Sequence, residues 1–84
     1  MENQINIVIA DDHEIYRDGL QLLLSTLNGV NLLAMAANGD ELIEKVKALR
    51  PDIVLTDIKM PGLDGVEATR YISAHFPDIG VIGL

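Results

Sequence analysis

An α/β fold on a parallel sheet is predicted by three observations. Short runs rich in β-branched residues alternate with longer runs whose apolar side chains recur at helical spacing. The first β-rich run carries apolar residues at both odd and even positions rather than at alternate ones only, as a strand covered on both faces does. Asn-Gly or Pro stands where each helical run stops. The expected architecture is therefore β1-α1-β2-α2-β3-α3-β4, with strand order 2-1-3-4 and right-handed crossovers.

The first run, INIVIA over Ile5–Ala10, is apolar at Ile5, Ile7 and Ile9 and again at Val8 and Ala10, which marks a central strand, β1. From Glu14 to Leu27, Ile15, Leu20, Leu23, Leu24 and Leu27 keep helical spacing, and Asn28-Gly29 supplies the stop for α1. Val30–Ala37 reads as β2. The NGD turn follows, with Asp40 expected to cap α2, whose inner side carries Leu42, Ile43, Val46 and Leu49. Arg50-Pro51 ends that helix because the residue before proline is pushed out of the α region. Asp52–Asp57 (DIVLTD) is β3, a polar turn follows in which Asp64 is expected to cap, and Val66–Phe76 is α3, stopped before Pro77. Ile79–Leu84 (IGVIGL) is β4.

Composition narrows the functions. The 84 residues, 49% hydrophobic, suffice for one small domain spanning 1–84. No run approaches the ~20 apolar residues of a membrane span, and MENQIN lacks the basic and apolar regions of a signal peptide, so a cytoplasmic protein without membrane contact is expected. The absence of cysteine removes disulfides and thiolate metal sites. Thirteen Asp and Glu against six Lys and Arg give a net charge of −7, which repels phosphate backbones, so direct nucleic-acid binding is not expected of this chain.

The acids have a pattern. Asp11 and Asp12 close β1 and Asp57 closes β3; in open parallel sheets ligands bind beyond the carboxyl ends of the strands, where the strand order reverses. Order 2-1-3-4 puts that reversal between β1 and β3. Clustered carboxylates need a proton or a cation, and oxygen donors without imidazole or thiolate suit Mg²⁺ better than Ca²⁺. His13 reads as a loop residue rather than a ligand, and Glu41 with Lys45 as a solvated i, i+4 pair.

IVIADDHEIYRDGLQLLL and PDIVLTDIKMPGLDGVEATRYI resemble the receiver domain of two-component response regulators, with its flavodoxin-like (CheY-like) doubly wound sheet, and within it the NarL/FixJ-like subfamily with a LuxR-type helix-turn-helix output. The resemblance implies that Asp57 is the phosphoacceptor and that Asp12, Asp57 and the Lys59 backbone carbonyl ligate Mg²⁺, with Asp11 acting through a water. It further implies a histidine kinase as phosphoryl donor, or a small donor such as acetyl phosphate. Carboxylate attack on phosphorus needs charge screening and a fixed geometry. Pro61, Gly62 and Gly65 after Asp57 suit a short, stiff loop.

Such receivers use a Ser or Thr after the fourth strand and a Lys after the fifth. Neither position falls within this sequence, so a truncated unit is expected, slow or inert toward acetyl phosphate and without switch or output. The alternative is a structural, self-assembling flavodoxin-like unit with a vestigial site. A haloacid-dehalogenase-type phosphatase would need a second acid where Lys59 stands, an EF-hand loop would need one there too, and an FMN binder would need glycines and hydroxyls in place of DDHEIYR. A homodimer is expected through the β4 edge or the sheet face beside it.

Overall fold

The computed structural model describes residues 4–11, 14–56 and 65–83. Four strands, β1 (Ile5–Ala10), β2 (Val30–Ala36), β3 (Ile53–Thr56) and β4 (Gly80–Gly83), alternate with α1 (Glu14–Ser25), α2 (Gly39–Leu49) and α3 (Gly65–His75). All three strand pairings are parallel and the order is β2-β1-β3-β4, as the alternation of runs predicts.

Strand β1 is central because both its faces are apolar. Val8 and Ala10 pack into a layer with Ala36, Leu42 and Val46 of α2, Val54, and Ala68 and Ile72 of α3. Ile7 and Ile9 point the other way, toward Leu24 and Leu20 of α1, with Val30, Leu32, Met35, Ile53 and Leu55 around them. Helices α2 and α3 therefore share one face and α1 takes the other. A bulge interrupts the β1–β2 register: Ile7 pairs with Leu32 but Val8 pairs with Ala34, leaving Leu33 as the extra residue.

The ends of the helices depart from the sequence expectation in ways that local hydrogen bonds explain. Helix α1 stops at Ser25, short of Leu27, because the chain tightens there: the Thr26 and Leu27 N–H groups donate three residues back to Leu23 and Leu24, and the Ser25 and Thr26 hydroxyls donate to the Leu22 and Leu23 carbonyls. Helix α2 is capped by Asn38, not by Asp40. Asn38 is extended (φ −156°, ψ 174°) and its Oδ1 accepts from the Glu41 N–H at 2.9 Å, while Asp40 sits in the first turn, where its charge favours the helix dipole. Glu41 does not serve Lys45 as a surface partner; its Oε1 accepts from the Ala37 N–H at 2.9 Å, closing the turn from the other side. At its other end α2 stops at Arg50, which leaves the right-handed region (φ 49°, ψ 62°) before Pro51. The Arg50 guanidinium lies 4.7 Å from the Phe76 ring centre. The expected cap Asp64 lies outside the described residues.

Candidate functional site

The register brings the carboxyl ends of the strands level. Ala10 is paired with Ala36 on one side and with Thr56 on the other, and Thr56 is paired with Gly83. Asp11 is the next residue after β1, and its N–H donates to the Ala36 carbonyl at 3.0 Å, carrying the β1–β2 pairing one step past the strand. Its carboxylate group belongs to a residue only 1% exposed. Thr56, the last residue of β3, is fully buried, and these two are the buried polar residues among those described. Both engage in polar interactions. An acid and a hydroxyl therefore occupy the carboxyl ends of adjacent strands, at the point where one connection leads from β1 to β2 and the next passes back across β1 to β3. That is the crevice where open α/β sheets bind ligands.

Of the expected site residues, the structure places Asp11 there, buried and anchored through its backbone. Asp12, Asp57 and Lys59 lie outside the described residues; in the chain they directly follow Asp11 and Thr56. Among the described residues no three His, Asp or Glu side chains gather as a metal-binding group. His75 is remote from the crevice, at the last turn of α3, its Nδ1 2.9 Å from the Tyr71 carbonyl oxygen and its ring stacked on Tyr71. The donor types at the strand ends are thus oxygens, and a carboxylate held almost fully out of water fits a hard divalent ion such as Mg²⁺.

Sequence reasoning missed two contributors at this end of the sheet. Thr56 was visible only as a polar residue closing an apolar strand. Asn38 and Gly39 form the start of α2, separated from β2 by Ala37 alone, and Gly39 is buried there. A separate cleft of about 350 Å³, lined by Arg50, Pro51, Asp52, Phe76, Asp78 and Ile79, sits at the opposite end, where β3 and β4 begin. It takes no part in the crevice: Asp52 there is committed to the sheet, its Oδ2 accepting from the Asn6 N–H at 2.8 Å and its own N–H donating to the Asn6 carbonyl.

A four-stranded 2-1-3-4 sheet with a buried acid at the end of β1 defines a class, and the sequence comparison identifies it. Residues 7–84 match the response regulator receiver domain, and the chain belongs to that family. Curated relatives include the transcriptional regulatory protein LnrK of Bacillus subtilis, 46% identical over 95% of this chain, and the response regulator GacA of Pseudomonas viridiflava, 39% identical over 95%. The chain spans 36% and 37% of the length of these two. Among solved structures, the non-phosphorylated receiver domain of the stress response regulator RcsB from Escherichia coli superposes with a TM-score of 0.90 at 34% identity, over 98% of this chain and 65% of that one.

Proposed function

We propose that this receiver domain accepts a phosphoryl group on Asp57, with Mg²⁺ held by Asp12, Asp57 and the Lys59 backbone carbonyl and with Asp11 contributing through a water. The observation that carries the reading is Asp11 itself: a carboxylate buried at the β1 end, one position past the Ala10–Thr56 pair that closes the β1–β3 ladder, on the residue before Asp12 and beside the strand that leads into Asp57.

In this reading each residue of the chain has a task. Thr56, fixed in the β3 ladder, sets where the chain leaves the sheet toward Asp57. A carboxylate oxygen of Asp57 attacks the phosphorus of the donor, the new O–P bond forming as the bond to the leaving group breaks. The donor is a phosphorylated histidine kinase, whose leaving imidazole nitrogen takes up a proton, or a small phosphodonor. Mg²⁺, when bound, offsets the charge on the equatorial oxygens. Asp11 raises the negative potential of the crevice, which favours binding of a divalent cation over leaving it empty.

The test is a Mg²⁺ titration of the melting temperature. A ligand that binds the native state raises Tm by mass action, so Tm should rise with Mg²⁺, and the rise should shrink in Asp12→Asn and Asp57→Asn. Any phosphoryl label introduced with acetyl phosphate should map to Asp57 and vanish in Asp57→Ala. Melting curves unmoved by Mg²⁺ together with a label elsewhere would overturn the assignment and favour a purely structural unit.

The same chain is proposed to self-associate. On the α1 side of the sheet, α1 lies over β2, Ile53 and Leu55 of β3 are half-buried, and Ile82 of β4 is exposed; α1 itself exposes Leu22 and Leu23, and the turn after it exposes Leu27. A second copy covering these side chains would bury apolar surface worth roughly 25 cal/mol per Å².

A further inference from the structure

The dipeptide Asn-Gly occurs twice, at 28–29 and at 38–39. The two copies stand in opposite surroundings. Asn28 is exposed in the turn between α1 and β2, and among the described residues nothing accepts from or donates to its side chain. Gly29 is at φ +83°, and a methyl group built on it would touch nothing within 4 Å. The turn uses the Gly29 carbonyl, which accepts from the Ile5 N–H at 2.7 Å. Asn38, in contrast, has its side-chain oxygen tied to the Glu41 N–H at 2.9 Å, and Gly39 is buried as the first residue of α2.

We propose that Asn28 is a site of spontaneous deamidation and that Asn38, in the same dipeptide, is shielded from it by the fold. The Gly29 backbone nitrogen gives its proton to solvent base and attacks Cγ of Asn28. The new C–N bond closes a five-membered imide as the Cγ–Nδ2 bond breaks and ammonia leaves with a proton. Water then adds to either imide carbonyl, giving aspartate or, with the main chain rerouted through the side chain, isoaspartate. The sum is amide plus water to acid plus ammonia, with no change of oxidation state. Glycine favours the attack because no Cβ hinders the nitrogen and its backbone turns freely. At Asn38 the attack requires the Cα–C bond to rotate away from ψ 174°, which breaks the cap and the first turn of α2 together.

At Asn28 the isoaspartate product adds one methylene to the main chain directly before the carbonyl that receives the Ile5 N–H, so the start of β1 loses its fixed partner.

The two dipeptides make the experiment internally controlled. The folded chain is held at mildly alkaline pH, digested at intervals, and the peptides containing residues 28 and 38 are followed by mass for conversion of amide to acid and by chromatography for the isoaspartate form. Conversion at Asn28 should run several-fold faster than at Asn38 in the folded chain, and in concentrated urea the two rates should approach each other. Equal rates in the folded chain, conversion at neither site, or a difference that persists in urea would each overturn the proposal.

Discussion

At the scale of single residues, α2 is controlled from its two ends. Asn38 provides the acceptor for Glu41, so Asn38→Ala leaves that N–H without its partner and should cost about 1 kcal/mol, while Asn38→Asp keeps an acceptor and should differ from the native chain by only a few tenths. Urea midpoints at unchanged slope would show both. At the other end, Arg50 in the left-handed region carries a penalty of ~1–2 kcal/mol that glycine would relieve. Arg50→Gly also loses the stacking on Phe76, ~0.5–1 kcal/mol, and restricts less of the unfolded chain, another ~0.5–1. These offset, so Arg50→Gly should be close to neutral in the native chain and stabilising in a Phe76→Leu background, where no ring remains to be lost. The double-mutant cycle measures it; equal effects in both backgrounds would mean that the guanidinium and the ring are not coupled.

At the scale of elements, the apolar periodicity of the sequence set out all four strands and three helices, since each had a face to bury. What stayed hidden were the ends, where side chain and main chain compete. Asp40 was the obvious cap by composition, but Asn38 stands where the chain is still extended, and only the position of Glu41 relative to it decides between them. Likewise Leu27 keeps the helical spacing of α1 although the Ser25 and Thr26 hydroxyls have already claimed the last carbonyls. Asp11 was legible because it stands with Asp12 at the end of one strand while Asp57 follows the neighbouring one, and clustered charges need a partner; Thr56 was not, because threonine is also an ordinary strand residue. Helix α3 depends on few side chains: among its described residues Ala68 and Ile72 are the buried ones. Ile72→Ala should therefore cost ~2–5 kcal/mol and release α3 first, visible as early loss of amide-exchange protection in that helix.

For the whole molecule, the two faces of the sheet are unequally served, α2 and α3 lying on one and α1 on the other. Light scattering coupled to size exclusion should find a homodimer at tens of micromolar, and Leu23→Lys with Ile82→Lys should shift it toward monomer while each single change alters folding stability by less than ~0.5 kcal/mol, as exposed positions do. A monomer that folds cooperatively at that concentration would refute the association. The same two layers also divide β2 against itself. Because Leu33 is an extra residue opposite β1, Val30, Leu32 and Met35 serve the α1 layer while Leu33 and Ala36 serve the α2–α3 layer, so the strand changes phase in its middle. A saturation library over this strand would read that break directly: tolerance to polar residues would alternate up to Leu33, slip by one position at Ala34, and resume alternating in the opposite frame.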